Sequence, residues 1–186
     1  MSITTLASAQ AVVSSGSRAR PMFFVVSVRK LTLMTCFTFG LYGLFWFYRN
    51  WELYQEASGV KVNMLLRCAL PELFIYSLLS RVDRQIRATG RQYAWSPWCL
   101  TFSLVLATLV FLQLSMLMPP MLGEMPLIVL VAVLGVVMSC WVLGRIQRAI
   151  NFCEGDPEGA GNGRFTLVNG VWVGGIVLIG IGAGIR

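Results

Sequence analysis

Apolar residues gather in long blocks along this chain, separated by short polar connections. A helix needs about 20 apolar residues to cross a membrane, and several of these blocks approach that length. The pattern therefore predicts an all-α fold, an integral membrane bundle of about five membrane-embedded helices. We place the helices at residues 31–48, 64–80, 98–118, 126–144 and 167–185.

The remaining segments predict a simple domain organisation. Residues 1–20 are rich in Ser, Ala and Thr and lack the apolar core of a signal peptide, so we expect a disordered cytoplasmic tail. Residues 21–186 form a single helical membrane domain. The blocks 98–118 and 126–144 contain no charged residue and are the clearest membrane spans.

The first block leaves two structures open. It runs from Leu31 to Tyr48, is long enough to cross a bilayer as one helix, and has Ser27 in place to cap its N-terminus. Gly40 and Gly43 lie near its middle and also allow a kinked or broken, re-entrant helix.

The second block is short and interrupted. Pro71 and Glu72 divide its apolar residues, and Arg67 comes just before them. The block is either a tilted span that borrows residues 64–66, or a re-entrant or interfacial helix.

The distribution of cations indicates the topology, because Lys and Arg favour the cytoplasmic side. If all five blocks cross, with the N-terminus inside, the cations left outside are Arg49, Lys61, Arg67 and Arg186. If the first two blocks do not cross fully, only Arg186 is outside. Both topologies give a multi-pass membrane protein with a cytoplasmic N-terminus, an outer connection at 119–125 and an inner loop at 145–166. We favour five crossings, because the first block has the length and the aromatic end of a span.

Composition narrows the function classes. Hydrophobic residues make up 56% and charged residues 12%, whereas a soluble domain has about 25% charged residues. The count of His is 0, which removes Ser-His-Asp triads and His-bearing zinc or haem sites. The five cysteines form no C-x-x-C pair and predict small buried side chains. We therefore predict a protein that is not an enzyme and has no catalytic residue, cofactor or metal site.

The net charge of +7 points to lipid and not to nucleic acid. The cations flank apolar blocks, and no nucleic-acid-binding motif accompanies them, so we predict no nucleic-acid partner. After the second block, Asp83 and Arg87 have the spacing of a helical ion pair, and Arg84, Arg87 and Arg91 share a predicted helix face. Anionic lipid headgroups are the expected partners of four residues: Arg81, Arg84, Arg87 and Arg91.

Three residues are candidate intramembrane polar sites: Arg67, Glu72 and Gln113. A carboxylate in an apolar block costs a few kcal/mol unless it is paired, and the cations that could pair with Glu72 are Arg67, Arg145 and Arg148. Alternatively, Pro71 begins a helix and places Glu72 in its first turn, facing water. Gln113 is expected to make one interhelical hydrogen bond.

Glycines in the last block are candidate helix contacts: Gly170, Gly174, Gly180 and Gly184. Small residues at four-residue spacing let helices approach closely. This face either packs within the bundle or contacts a membrane partner or a second copy, and the oligomeric state stays open.

Two groups of residues stand out toward the two ends of the chain. The N-terminal group is Ser27-x-x-Lys30, Thr38-Phe39-Gly40-Leu41-Tyr42 and Trp46-Phe47-Tyr48-x-Asn50-Trp51. The C-terminal group is Gln147-x-x-Ile150-Asn151 and Arg164-Phe165-Thr166-x-x-Asn169. Together they resemble the signatures of a family of small bacterial polytopic inner-membrane proteins of unassigned function. The resemblance implies a helical integral membrane protein and supplies no catalytic residues.

These observations favour a protein that binds a partner, such as a membrane protein or toxin, within the membrane. By class analogy, its most concrete form is an immunity protein that neutralises a membrane-targeting toxin of the type VI secretion kind. The alternative is a small channel, transporter or accessory membrane subunit in which Glu72 and Arg67 line a polar pathway.

Overall fold

The computed structural model describes residues 21–38, 40–117, 125–171 and 173–175. Within these ranges every regular element is a helix and none is a strand, which confirms the all-α class. The tail predicted at residues 1–20 lies outside the described residues, as do residues 118–124, Gly180 and Gly184.

The first predicted block is divided between two helices. Helix α1 spans Val28–Phe37, and helix α2 spans Leu41–Ser58. Ser27 is the N-cap of α1, as predicted, and its hydroxyl accepts a hydrogen bond from the backbone N–H of Lys30. The broken form of this block is therefore the one observed.

Thr38 and Gly40 make the break between α1 and α2. Gly40 has a φ of 89°, in the left-handed region that favours glycine. The Thr38 hydroxyl donates to the carbonyl of Met34 at 2.7 Å and accepts from the N–H of Tyr42 at 2.9 Å. One side chain thus satisfies the end of α1 and the start of α2.

The second predicted block is also divided. Helix α3 spans Met64–Ala69, and helix α4 spans Pro71–Ala88, with Pro71 in its first turn. Helix α4 is amphipathic, because its buried residues recur every three or four positions: Ile75, Leu78, Leu79, Val82 and Ile86. The prediction that Arg91 shares a helix face with Arg84 and Arg87 is wrong, because α4 ends before Arg91.

The two uncharged blocks begin the two longest helices. Helix α5 spans Pro97–Leu117, and helix α6 spans Met125–Glu154. The loop predicted from residue 145 is therefore helical as far as Glu154. The residues that continue α6 bury one face at helical spacing: Ile146, Ala149, Ile150 and Cys153. A 3₁₀ turn at Ala160–Asn162 and helical residues 167–171 and 173–175 follow.

Among the described residues, one helical stretch, Val133–Glu154, is long and apolar enough to cross a membrane. Pro97–Val110 is apolar but shorter. The structure therefore shows a helical protein with one membrane-capable helix in its described part.

The core lies at one end of α6. Helices α1 and α4 pack on the part of α6 that includes residues 142–154, and α2 packs on α1 and α4 and reaches α6 through the Trp46 side chain; we call this assembly the base. Helix α1 runs in the opposite direction along α6: a Cβ on Gly144 would lie 3.2 Å from Val28, and the Cys36 and Cys140 Sγ atoms are 3.6 Å apart. Beyond the base, α5 and α6 carry exposed apolar side chains, which we call the α5–α6 surface: Phe102, Leu106, Leu109, Val110, Leu130, Val133, Leu134, Val136, Val137, Met138 and Trp141.

Candidate functional site

An extended segment, residues 21–27, lies between α2 and α6 and is held by amide side chains from both. Asn50 of α2 accepts the backbone N–H of Phe24 at 3.0 Å, and Gln147 of α6 donates to the Phe24 carbonyl at 3.0 Å. Asn151 accepts the N–H of Val26 at 3.4 Å and donates to its carbonyl at 3.0 Å. These side chains take the place of a neighbouring strand.

The same amides bind one another in a buried network. The Trp46 indole N–H donates to Gln147 Oε1, and Gln147 donates to Asn151 Oδ1 at 2.7 Å. Asn50 donates to the Trp46 carbonyl at 2.8 Å. We call these four residues the polar clamp: Trp46, Asn50, Gln147 and Asn151, all fully buried. Because its groups bind each other and the 21–27 segment, the clamp acts as a structural joint.

The loop after α6 closes over the 21–27 segment. Gly159 has a φ of 66°, and a Cβ there would lie 2.5 Å from the carbonyl carbon and oxygen of Val26. Asn162 donates to the Val25 carbonyl at 3.2 Å, and Glu154 accepts the N–H of Phe23 at 2.9 Å. The loop is thus anchored to the backbone of the 21–27 segment through the Asn162 side chain, and Glu154, the last residue of α6, adds a second hydrogen bond to that backbone.

Lys30 ties α1 to this loop. Its ammonium donates to Asn162 Oδ1 and to the Arg164 carbonyl, each at 2.8 Å, and the residue is only 3% exposed. Burial lowers the pKa of Lys30 below its usual value of 10.5. Its hydrogen bonds to neutral oxygens assign this lysine to the packing of the base.

The residues that carry the family resemblance meet at this joint. Members of the N-terminal group that take part are Ser27, Lys30, Trp46 and Asn50, and members of the C-terminal group are Gln147, Asn151 and Arg164. Two distant parts of the sequence are therefore parts of a single structural unit.

Arg67 and Arg81 meet at Trp51. The guanidinium carbon of Arg67 lies 3.7 Å from the centre of the Trp51 ring, and that of Arg81 lies 5.0 Å from it. The Nη1 atom of Arg81 also donates to the backbone carbonyl and to the hydroxyl of Ser77. Phe74 and Tyr54 line the cluster, at 5.0 Å from Arg67 and 5.2 Å from Arg81.

Glu72 lies in the first turn of α4, exposed, as the alternative sequence interpretation describes. It makes no ion pair with any described residue. It lines a cavity of about 210 Å³ whose other polar residues are Thr35, Thr108 and Ser139. The Thr35 hydroxyl is buried and has no hydrogen-bond partner among the residues that the structure describes, whereas Arg67 lies outside this lining and against Trp51.

The basic residues of α4 and beyond have different environments. Arg84 is exposed. Arg87 pairs with Asp83 at 2.8 Å, which confirms the predicted helical ion pair. Arg91 donates to the carbonyls of Phe152 and Cys153 at the end of α6. Arg91 therefore caps a helix, as cations near a C-terminus do.

The remaining candidates lie on exposed helix faces. Gln113 is exposed on α5, and the predicted interhelical hydrogen bond is not present among the described residues. Gly170 and Gly174 are exposed, and a Cβ on either would meet no atom within 4 Å. Where the structure describes it, this glycine face is open and does not pack within the bundle.

The comparisons with known proteins add no assignment. No protein-family model, curated protein or solved structure matches the chain. The function must therefore be argued from the geometry itself.

The residues of the polar clamp are inconspicuous in the sequence, because Asn50, Gln147 and Asn151 carry no charge and stand singly beside bulky side chains. Two signals nevertheless point to them. All three belong to the groups that carry the resemblance, and Gln147 and Asn151 are four residues apart, beside Ile146 and Ile150, and so share the buried face of a helix.

Proposed function

We propose that this chain is a multi-pass protein of the bacterial inner membrane that is not an enzyme and binds a partner protein within the bilayer. The observation that carries the proposal is the α5–α6 surface, whose apolar side chains are each 46–58% exposed. Surfaces of this kind need lipid or a protein partner.

The same argument applies to the last helical segment. Leu167, Val168 and Val171 are strongly exposed, and Leu167 reaches 92%. Gly170 and Gly174 share this segment and leave room for close approach of another helix. Their open surroundings favour a contact with a separate membrane protein or a second copy over packing inside this chain.

The proposed topology has a cytoplasmic N-terminus and a cytoplasmic base. The breaks at Gly40 and Leu70 and the amphipathic α4 support the arrangement in which the first two blocks do not cross fully. Helices α5 and α6 and the last block are then the spans, and only Arg186 of the fifteen cations is outside.

In its most concrete form, the proposal is an immunity protein against a membrane-targeting toxin of the type VI secretion kind. The physical mechanism is occlusion: the open helix faces bind the membrane segments of the toxin and prevent a pore from assembling. Two features support this form of the proposal. The α5–α6 surface is apolar and exposed, and the buried polar residues of the polar clamp bind each other and the 21–27 segment.

A genetic experiment tests this form. Deletion of the gene should kill cells only when a toxin gene beside it is intact, and survival among toxin-bearing siblings would contradict immunity. Gly170→Leu and Gly174→Leu should abolish protection without lowering the melting temperature, because no atom of the described residues lies within 4 Å of a Cβ at either glycine. Gly175→Leu is the matched control, since Gly175 is equally open but points about 100° away from Gly174 around the helix.

A second function, a small channel, transporter or accessory membrane subunit, is favoured by the cavity beside Glu72. Its apolar walls and few polar residues resemble those of a small ligand site. Glu72→Ala should then abolish a flux in reconstituted vesicles, while the exposed Glu56→Ala on α2 should leave it unchanged. A flux that survives Glu72→Ala would argue against a polar pathway at this residue.

A further inference from the structure

Three buried N–H groups without acceptors converge at Trp51. They are Nε1 of Trp51, Nη1 of Arg67 and Nε of Arg81, and none has a hydrogen-bond partner in the described part of the chain. Buried donors are satisfied in most proteins, and each one left free costs about 1–3 kcal/mol. Three donors at one ring indicate a place built for an acceptor-rich group.

The charges at this cluster are also unbalanced. The ion pairs of the described residues are Arg49–Glu52 and Arg87–Asp83, so neither Arg67 nor Arg81 has a carboxylate partner there. Two guanidinium groups within 5.0 Å of one ring centre repel each other. An anion between them would relieve this repulsion.

The aromatic ring prepares the arginines for such an anion. Cation–π contact with Trp51 holds the Arg67 guanidinium in place and leaves its edge available for hydrogen bonds. Both arginines are half-buried residues, so part of each residue reaches solvent while Nη1 of Arg67 and Nε of Arg81 are buried. A planar fork presented in this way suits a phosphate, whose oxygens accept paired N–H bonds.

The surroundings decide which phosphate. Arg67 belongs to the short helix α3, where Leu65 is 83% exposed, and Leu73 at the start of α4 is 70% exposed. Leu66 and Leu70 are also exposed. Leucines displayed beside an unpaired cation fit the boundary between headgroups and acyl chains.

We propose that Arg67, Arg81 and Trp51 form a binding site for the phosphate of an anionic phospholipid, with the leucines of α3 and the α3–α4 junction against its acyl chains. This inference rests on the membrane location proposed above and is separate from the partner-binding face. The sequence predicts that Arg81, Arg84, Arg87 and Arg91 together attract anionic headgroups. The proposed site instead concentrates lipid binding at Arg67 and Arg81. Arg91 and Arg87 are engaged elsewhere, and Arg84 supplies only surface charge.

Native mass spectrometry of the full chain in detergent tests the site. The protein is titrated with phosphatidylglycerol and, in parallel, with phosphatidylcholine. Arg67→Gln and Arg81→Gln should each weaken phosphatidylglycerol binding by about tenfold, whereas Arg84→Gln, which removes the same charge from the same helix as Arg81, should change it less than about twofold. Arg67→Lys should also lose affinity, because a lysine lacks the planar fork.

Three outcomes would overturn the inference. They are equal loss of affinity in Arg84→Gln and Arg67→Gln, binding of phosphatidylcholine as tight as that of phosphatidylglycerol, and competition by inorganic phosphate at equal concentration. The first outcome means surface charge alone, the second means no headgroup selection, and the third means a free-phosphate site. Each variant must melt like the wild type, and Arg67→Lys serves where Arg67→Gln does not fold. Toxin protection is measured in the same variants. Loss of the lipid site alone leaves protection intact, whereas failure of the proposed function appears as absence of protection in the wild type.

Discussion

Asn151 binds both backbone groups of Val26, accepting its N–H and donating to its carbonyl at 3.4 and 3.0 Å. A side-chain amide has the same donor and acceptor as a peptide group, so Asn151 acts as one residue of a missing strand. This pairing joins the 21–27 segment to α6 without a sheet.

Replacing Asn151 by Ala should lower the free energy of unfolding by about 2–4 kcal/mol, because the backbone groups of Val26 lose their partners in a buried site. Chemical unfolding in mild detergent measures the change. Asn63→Ala is the control: Asn63 is an exposed N-cap of α3, and its loss should cost about 1 kcal/mol or less. Equal effects of the two substitutions would show that the clamp contributes no more than a surface cap.

Gly159→Ala should destabilise the base more than Gly155→Ala. Both glycines have a positive φ, so both substitutions carry similar backbone strain. Only a Cβ at Gly159 meets backbone, 2.5 Å from Val26, whereas Gly155 has nothing within 4 Å. The comparison of melting temperatures therefore isolates the contact with the 21–27 segment, and equal shifts would contradict that contact.

Cys36 and Cys140 should form an intramolecular disulfide under mild oxidation. Their Sγ atoms are 3.6 Å apart, so a small movement brings them to bonding distance of about 2 Å. Mass measurement after thiol labelling should show the loss of these two free thiols, and Cys36→Ser should restore the label on Cys140. Cys99 is an exposed thiol and serves as the control that remains labelled. Persistent labelling of both Cys36 and Cys140 would place α1 away from α6.

The stability contributed by Lys30 should rise with pH. Its pKa is lowered in the folded protein, so between that value and 10.5 the unfolded chain holds a proton that the folded chain has released. The free energy of unfolding therefore increases with pH across this window, and below it the cost of burying the charge is fully present. The difference between wild type and Lys30→Met, measured from about pH 8 to pH 10, should change in favour of the wild type. A pH-independent difference would mean that Lys30 does not titrate in this window.

The sequence predicts the bounds of α5 and the start of α6 closely. An uncharged apolar run of about 20 residues is most simply explained as one long apolar helix. Hydropathy does not predict the continuation of α6 beyond residue 144, because Arg145 and Arg148 end the apolar run. The helical spacing of Ile146 and Ile150 continues there. The break at Gly40 was one of two alternatives that the glycines allowed. Hydropathy could not choose between them, because the turn also depends on the Thr38 side chain.

The candidate sites depend on contacts that no local pattern contains. The sequence predicts Arg67 and Glu72 as neighbouring polar residues of one apolar block, but in the structure Arg67 packs against Trp51, away from the cavity that Glu72 lines. The clamp joins α2 and α6 through neutral amides, and the helical spacing of Gln147 and Asn151 does not reveal their partners on α2 and in the 21–27 segment. Contacts between residues that are far apart in the sequence can be identified only from the three-dimensional arrangement of the helices.

The hydrogen bonds of the 21–27 segment also determine when the protein can finish folding. Its partners on α6 and the following loop lie 123 to 137 residues further along the sequence. Contacts of that separation form late, after the loop between them has been closed at an entropic cost. During synthesis, the 21–27 segment therefore cannot complete its hydrogen bonds until residues 147–162 have been made. A chain that stops within α6 keeps the hydrogen bond between Asn50 and Phe24 but lacks the one between Asn162 and Val25, so the base forms fully only after residue 162 has been synthesised.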